Sequence, residues 1–383
     1  MDTQKLYDLI DKVIGKKGPL RVPAYWMRRV LNSIVKKSEQ DIANASKSIT
    51  NSVTKSLTAI EKQLNELTNE VKTKLDVLSP LVLTDKYLAF VALEDGLTVR
   101  LNGSRCEYSL DGYVWHPLSA YSETPAINTG QYIWFRAKIA PIKPDGIGTF
   151  GLNKKCSVKG NIMSMLYGDN STDNQVMKPY AFMYLFSNAR TLIDASQLKL
   201  PTALATHCYD AMFHGCSALV NAPELPATTL AEGCYFNMFA RCESLVNAPK
   251  LPATALTVNC YQGMFYYCSA LVNAPELPAT TLAEECYDSM FRDCESLVNA
   301  PELPATELVK QCYDYMFDGC TNLSYVKAMF IMLPTPYGIY IGDWLKDVAA
   351  EGTFVKNAAA TWDTAVVIPE GWSVETVEVV DNA

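Results

Sequence analysis

The stretch Leu219-Val-Asn-Ala-Pro-Glu-Leu-Pro-Ala-Thr-Thr-Leu230 decides the fold, because the chain repeats it almost unchanged three more times. It returns as residues 245–256, 271–282 and 297–308, so the period is 26 residues. A fixed period between about 20 and 50 residues is typical of a solenoid, in which each unit buries its apolar side only against its neighbours. The sequence therefore predicts a stack of short repeats in the second half of the chain.

Each repeat also contains a Cys-Tyr pair, which is followed by a Met-Phe pair and by a second cysteine eight residues after the first. The Cys-Tyr pairs are Cys208-Tyr209, Cys234-Tyr235, Cys260-Tyr261, Cys286-Tyr287 and Cys312-Tyr313. We expect a short helix near Cys-Tyr-x-x-Met-Phe-x-x-Cys and a strand near Leu-Val-Asn-Ala-Pro in every repeat. Stacked strands lie about 4.8 Å apart, so equivalent Leu, Met and Phe side chains would form the ladders of the core.

The repeats hold ten of the twelve cysteines. In a helix, a spacing of eight residues places both cysteines of one repeat about two turns apart, which is too far for a bond between them. Cysteines of neighbouring repeats are close enough for a bridge in principle, so that alternative stays open. The close pairs of a zinc site, such as C-x₂-C, are absent. We favour free thiols that fill the core, and we expect no metal and no cofactor.

Upstream of the repeats, apolar residues recur every seven positions, which is typical of a coiled coil. The two columns of this seam are Val53, Ile60 and Leu67, and Leu57, Leu64, Val71 and Leu78. A helix over residues 53–78 would span on the order of 40 Å, and one apolar stripe of that length needs a partner. We therefore expect a homo-oligomer, with a trimer favoured by the mixture of Val, Ile and Leu. The alternative is a helix that packs on a later domain of the same chain.

Residues 81–170 change to alternating apolar and polar positions with turn signals, which predicts strands. Clear examples are residues 87–93, 96–101 and 132–137. We expect a small β-sandwich here. The polar stretch 168–174 carries the oxygen-rich side chains that Ca²⁺ prefers, but its spacing fits no EF-hand loop, so we predict no metal site.

Charge is distributed unevenly along the chain, which has a net charge of -8. Residues 1–40 carry nine Lys or Arg against four Asp or Glu, whereas residues 201–320 carry four against fourteen. Acidic repeats argue against nucleic acid as a partner, because phosphate binding needs a positive footprint. No apolar run approaches the roughly 20 residues of a membrane span, and we find no signal peptide, so we expect synthesis in the cytosol and no membrane span.

The two units of the repeat carry a family resemblance. They resemble the BspA-like leucine-rich repeats of gut Bacteroidetes and their phages. Residues 108–115 and 160–167 are similar to the β-domain that often precedes such repeats, and residues 343–356 and 368–372 resemble the module that ends them. The resemblance covers about residues 85–375. It implies adhesion or recognition through an exposed face of the repeats.

These patterns, together with the resemblance, predict a multidomain α+β protein with an N-terminal α-helical coiled coil, a small β-sandwich and a leucine-rich-repeat (BspA-like) solenoid with a C-terminal cap. The expected segments are a helical anchor at 1–38, a coiled-coil oligomerisation stalk at 39–80, the β-sandwich domain at 81–175, the solenoid at 176–328 and a capping module at 329–383.

The segment Gly18-Pro-Leu-Arg-Val-Pro-Ala-Tyr-Trp-Met-Arg-Arg-Val-Leu-Asn32 resembles the N-terminal part of virion fibre proteins in crAss-like phages of Bacteroides. This resemblance implies a structural fibre protein of a bacteriophage virion, on the head or the tail, that docks to other virion proteins through residues 1–38. Such a protein is made in the host cytoplasm and released by lysis. The residue types suited to the anchor contact are Tyr25, Trp26, Arg28 and Arg29. Packing of Trp26 at the start of a helical bundle is the alternative role.

The repeats differ from one another at the positions two, three, six and seven after the first cysteine, and we call the surface formed by these positions the variable face. Its candidate contact residues are Phe236, Asn237, Arg241, Gln262, Tyr266, Tyr267, Asp288, Arg292, Asp293, Asp314, Tyr315 and Asp318. Aromatic and charged groups on a rigid ladder suit contact with a bacterial surface glycan or protein. Neutral sequence drift on a solvated surface that binds no partner would give the same variation between repeats.

An enzyme is not expected from this sequence, and we assign no catalytic residue. The histidines are His116, His207 and His214, and no Ser or Cys partner pattern recurs with them. A carboxylate pair that cleaves glycans, as in a tailspike, is the enzymatic alternative, because acids are numerous. The remaining alternative is a bacterial BspA-like surface adhesin or a cytosolic scaffold.

Overall fold

The chain divides into two compact units, residues 1–76 and residues 77–383, which we describe separately. The structure is a computed structural model that describes residues 29–30, 33–34, 36–37, 57, 59–68, 83–137, 139 and 146–378. Within this part of the chain, strands and turns predominate over helices.

In the first unit the described residues are helical, and the longest continuous stretch is 59–68. Leu57 and Ile60 are 36% and 43% exposed, whereas Leu64 and Leu67 are half-buried. Val53, Val71 and Leu78 lie outside the described residues. The described part of this unit contains no long coiled-coil helix, so that element of the predicted fold class is wrong. A coiled-coil seam needs a continuous helix over several heptads, and the longest helical stretch described in this unit is 59–68.

The second unit begins with a six-stranded sheet in the order β4-β3-β5-β1-β7-β8. Its strands are β1 (Leu88–Ala92), β3 (Cys106–Ser109), β4 (His116–Leu118), β5 (Tyr132–Arg136), β7 (Cys156–Asn161) and β8 (Leu192–Lys199). β2 (Val99–Asn102) and β6 (Thr149–Leu152) form a separate antiparallel ribbon. The predicted β-sandwich is therefore replaced by one large sheet with a two-stranded ribbon.

The strand β8 connects this sheet to the repeats. It pairs with β7 in parallel, and Asp194 within it bridges in parallel to Asn221 of the first repeat. One hydrophobic core continues from Leu88 through the repeats to Trp372. The six-stranded sheet therefore covers the first end of the stacked repeats and shields apolar groups that would otherwise face water.

The segment predicted as a helix in each repeat is a series of turns. Every fourth residue has a left-handed backbone, as at Asn259 (φ +58°), Gly263 (φ +60°) and Tyr267 (φ +62°). An α-helix needs φ near -63° at every residue, so this pattern excludes it. The predicted helix is wrong because buried residues four apart fit both a helix and this turn pattern.

Hydrogen bonds explain how these turns stack. The Met264 N–H donates to the Tyr261 carbonyl of the same repeat at 3.2 Å, and the next N–H, of Phe265, donates to Met290 of the following repeat at 2.9 Å. Tyr266 and Tyr267 continue the alternation, the first within the repeat and the second to Arg292. Half of the backbone N–H groups of this segment donate within their own repeat and close turns, and half donate to the following repeat. The backbone N–H groups are therefore hydrogen-bonded without a helix or a continuous strand.

The predicted strand of each repeat is reduced to isolated parallel bridges, such as Asn247 to Asn273. The predicted ladders are nevertheless buried. Tyr rings at equivalent positions stack with centroids 5.8–6.1 Å apart. The Leu, Met and Phe columns that the sequence predicts as core, such as Leu271, Met264 and Phe265, are 0% exposed.

All twelve cysteines are buried and free. The second cysteine of each repeat donates its thiol proton to a phenylalanine carbonyl of the preceding turn segment, as Cys268 does to Phe239 at 3.1 Å. This contact links neighbouring repeats. The small thiol therefore fills the core and satisfies a carbonyl at the same time.

The same turn pattern continues at both ends of the repeats. Tyr180, Tyr184 and Asn188 precede the first repeat with φ near +58°, and Asp343 and Asp347 follow the last one with φ of +48° and +56°. A parallel sheet then closes the second end, in the order β11-β10-β9. Its strands are β9 (Tyr325–Ala328), β10 (Thr353–Asn357) and β11 (Ser373–Val377).

The helices of the second unit are short. They are Ser164–Tyr167, Thr364–Val367, the 3-10 helices Gly168–Asn170 and Tyr337–Ile339, and residues 83–86. The predicted α+β class, with a coiled coil, a sandwich and a solenoid of strand-plus-helix units, is therefore wrong for the described residues, which form mainly sheets and stacked turns. Among those residues no helix combines the length and the apolar character needed to cross a membrane.

Candidate functional site

The variable face follows from the four-residue period of the turns. In one repeat Cys260 and Tyr261 are buried, Gln262 is half-buried and Gly263 is covered by Asn237 of the preceding repeat, Met264 and Phe265 are buried again, and Tyr266 and Tyr267 are more exposed. Two inward positions thus alternate with two outward positions. The positions two, three, six and seven after the first cysteine consequently lie together on one side of the stack.

The structure exposes the twelve candidate residues of this face to different degrees. Arg241 and Tyr267 are exposed. The half-buried residues are Phe236, Asn237, Gln262, Tyr266, Arg292, Asp293 and Tyr315. Asp288, Asp314 and Asp318 are only 8%, 8% and 6% exposed, so they are less available for contact than the sequence predicts.

Where a left-handed position of this face is glycine, the equivalent side chain of the preceding repeat lies over it. A Cβ atom at Gly263 would lie 2.1 Å from Oδ1 of Asn237, and one at Gly319 would lie 2.3 Å from Oδ1 of Asp293. The side chains at positions three and seven, such as Asn237 and Asp293, thus lean towards the following repeat. Neighbouring repeats therefore form composite groups on the face.

Arg241 and two tyrosines of the next repeat form the first such group. The guanidinium carbon lies 5.1 Å from the centroid of the Tyr267 ring and 5.9 Å from that of Tyr266. The two rings stand edge to face, with centroids 5.3 Å apart and an angle of 80°. The cation is thereby held on aromatic faces.

Arg292 forms a second group, which is internally paired. Its Nη2 lies 3.0 Å from Oδ2 of Asp318, and its Nε lies 3.9 Å from Oδ2 of Asp293. The guanidinium also lies 5.0 Å from the ring centroid of Tyr315. Its charge is therefore compensated by carboxylates of the protein.

Buried carboxylates form a third group. Gln262 donates to Oδ2 of Asp288 at 3.1 Å, and the Ser289 hydroxyl bonds Oδ1 of the same group at 2.6 Å. Burial raises the pKa of Asp314 to about 6, and the negative charge of Asp288 in the preceding repeat adds to this effect. Burial also raises the pKa of Asp318, and the nearby Arg292 opposes that shift. Asp314 therefore changes its charge closer to neutral pH than a solvated carboxylate does.

Sequence reasoning missed one column of the face, which lies directly before the first cysteine. It holds His207, Gly233, Asn259, Glu285 and Gln311, and all five are left-handed. His207 stacks on Tyr180 with ring centroids 5.4 Å apart, and its Nδ1 lies 3.0 Å from Oδ2 of Asp210. Burial raises the pKa of Asp210 to about 6 although His207 opposes the shift. The variation at this position was visible in the sequence and could have identified the column.

The predicted anchor lies mostly outside the described residues. Arg29 is helical and exposed, whereas Tyr25, Trp26 and Arg28 are not described. His116 lies far along the chain from the other two histidines and packs beside Tyr108, with ring centroids 5.5 Å apart. Within the described ranges, no group of three or more His, Cys, Asp or Glu side chains is placed to hold a metal ion.

Comparison with known proteins found no matching family model, no matching curated protein and no matching solved structure. The resemblance to BspA-like repeats and to crAss-like phage fibres therefore stays an expectation from the sequence.

Proposed function

We propose that this chain is an adhesion protein that binds a bacterial surface glycan or protein through the variable face. The proposal includes its place in a bacteriophage virion as a head or tail fibre, docked to other virion proteins by residues 1–38. It also includes a homo-oligomer, with a trimer favoured. The virion, the docking and the oligomer rest on the sequence alone.

The observation that carries the proposal is the presence of bulky residues at left-handed positions. Arg241, Tyr267 and Tyr315 have φ of +62°, +62° and +50°. A left-handed backbone costs a residue with a Cβ atom about 1–2 kcal/mol, a cost that glycine avoids. Gly263 and Gly319 occupy equivalent positions, so the fold accepts glycine there.

This cost favours contact with a partner over drift. An unused surface at left-handed positions would collect Gly, Asn and Asp, which tolerate this backbone. Large aromatic and guanidinium groups instead supply the contact area and hydrogen bonds that dominate binding energy at interfaces. Their support is rigid, because each turn is bonded to the next repeat, so little entropy is lost on binding.

Binding of the labelled, purified chain to candidate host bacteria tests the proposal. We expect saturable binding to some strains, and either periodate oxidation of surface glycans or protease treatment of the cells should abolish it. Loss after periodate would identify a glycan, and loss after protease would identify a protein. Equal, non-saturable binding to all cells and to inert beads would contradict adhesion.

The virion assignment needs a separate experiment. Mass spectrometry and cryo-EM of purified phage particles should find the chain at a stoichiometric level on the head or tail. Its recovery from the envelope of uninfected cells, with none in particles, would favour a bacterial surface adhesin. Recovery only from the cytosol of uninfected cells would favour a scaffold.

A further inference from the structure

Arg241 differs from Arg292 in that no carboxylate of the described chain lies within ion-pair distance of its guanidinium. Arg292 forms ion pairs with Asp293 and Asp318. Glu243 follows Arg241 by two residues and is exposed, but it is not paired with it. The positive charge of Arg241 is therefore available to an anion from outside.

The aromatic contacts fix this guanidinium in place. Arg241 is exposed, and its backbone N–H donates to the Tyr266 carbonyl at 2.7 Å. The rings of Tyr266 and Tyr267 contact the guanidinium through cation–π geometry and leave the forked N–H edge for hydrogen bonds. Tyr267 is 39% exposed, so part of its ring surface faces solvent.

Charge is separated along the variable face. The carboxylates of this face belong to the first repeat, as Asp210, and to the last two, whereas Arg241 lies in the second; the second and third repeats carry no Asp or Glu at the four positions. The imidazole of His214 is close enough to Arg241 that, besides burial, this cation lowers its pKa. His214 is consequently neutral near pH 7 and can accept or donate a hydrogen bond. The second and third repeats therefore offer an anion a cationic and aromatic surface, whereas the first, fourth and fifth repeats carry carboxylates on the same face.

We propose that Arg241, Tyr266 and Tyr267 form a subsite for an acidic sugar, with the sugar carboxylate on Arg241 and the sugar ring on Tyr267. This inference rests on the proposed adhesion function and specifies its ligand class. A planar guanidinium matches a carboxylate with two parallel hydrogen bonds, and an exposed aromatic ring suits the apolar face of a sugar. Neutral sugars lack the group that Arg241 binds.

Titration calorimetry of the full chain with matched oligosaccharides tests the subsite. The probes are galacturonate, glucuronate and N-acetylneuraminate oligosaccharides, each with its carboxyl-reduced neutral counterpart. We expect at least one acid to bind on the order of tenfold more tightly than its counterpart, as for a charge-assisted hydrogen bond. This preference should shrink as salt is added. Equal binding of every acid and its counterpart, or no binding of any, would overturn the subsite.

Two matched variants locate the preference. Arg241→Gln should abolish it, and Arg105→Gln should leave it, because Arg105 is exposed before β3 and lies outside the variable face. Both variants keep a Cβ atom at their position, and equal melting curves would show that both fold. Retention of the full preference by Arg241→Gln would also overturn the subsite.

Failure here is distinguishable from failure of adhesion. Saturable binding to cells without preference for acidic sugars would leave adhesion standing and remove the subsite. If the chain bound no host cell, the adhesion proposal would fail, even if Arg241 bound an acidic sugar in solution.

Discussion

Tyr261 and Tyr287 occupy equivalent positions in consecutive repeats, and their rings stack with centroids 5.9 Å apart and an interplanar angle of 5°. Tyr235 stacks on the other side of Tyr261 at 5.8 Å. The inner rings of the column, those of Tyr235, Tyr261 and Tyr287, are therefore packed on two sides by identical rings. Continuous stacking of this kind makes the repeats a rigid support for the variable face, since no repeat can move without its neighbours.

Truncation of one stacked ring should destabilise the chain strongly. Tyr261→Ala removes a side chain that is 1% exposed, and the expected loss in unfolding free energy is about 3–5 kcal/mol. Tyr261→Phe is the control. The buried hydroxyl of Tyr261 has no hydrogen-bond partner among the described residues, so its removal should leave the stability unchanged or raise it. Urea denaturation of the two variants checks this, and equal destabilisation by both would contradict the packing argument.

The left-handed turns predict that an Ala→Gly substitution affects stability differently at two buried alanines. Ala211 has φ +49° and Ala240 does not have a left-handed backbone, yet both are buried. Ala240→Gly should lose about 1–2 kcal/mol through backbone entropy and the missing methyl group. Ala211→Gly should be more stable than Ala240→Gly by about 1–2 kcal/mol, because glycine relieves the left-handed strain. Thermal unfolding measures the difference, and identical melting temperatures would contradict the turn geometry.

The raised pKa of Asp314 predicts how the free energy of unfolding depends on pH. Its folded pKa of about 6 exceeds the ordinary value of 3.8, so the folded chain binds more protons than the unfolded chain between these values. The free energy of unfolding should therefore fall as the pH rises from about 4 to about 6. Asp314→Asn should reduce this slope, and Asp210 should contribute to the part that remains, because burial raises its pKa to about 6 as well. Urea titrations across this range check the slope, and an unchanged slope in Asp314→Asn would refute the assignment.

The repeat thiols should be unreactive while the chain is folded. Cys268 is buried, and burial raises its pKa to about 12, so the nucleophilic thiolate is scarce. We expect iodoacetamide at about pH 8 to modify the repeat cysteines only after denaturation. Mass spectrometry of the folded and the urea-unfolded chain makes the comparison. Equally fast modification in both states would show that the column opens readily.

The sequence predicted which residues of the repeats are buried but not the backbone that buries them. Equivalent residues such as Leu271, Met264 and Phe265 were identifiable as core because a fixed period selects them. The helix was wrong because Cys260, Met264 and Cys268 are four apart, and nothing about Asn259 or Tyr267 indicates a left-handed backbone. The pairing of β8 with β7 was not predictable either, because it depends on contacts between distant segments.

The candidate site could be predicted in part. Comparison of the repeats identified the outward columns, including Arg241 and Tyr267, without any structure. It could not show that Asp314 is buried or that Arg292 is paired with Asp318, since both depend on how neighbouring repeats stack. The repeat unit Cys-Tyr-x-x-Met-Phe-x-x-Cys begins one residue after His207, so this unit does not assign the column of His207 to the face.

Replacement of the three bulky left-handed residues tests the central claim most directly. The variant Arg241→Gly, Tyr267→Gly, Tyr315→Gly keeps the backbone that the equivalent residues Gly263 and Gly319 already adopt. A matched control is Val246→Thr, Val272→Thr, which changes exposed residues outside the variable face. Binding to host cells and thermal unfolding are measured on the same preparations. We predict that the glycine variant loses cell binding while its melting temperature is not lowered, and that the control keeps binding; full binding by the glycine variant would contradict the account.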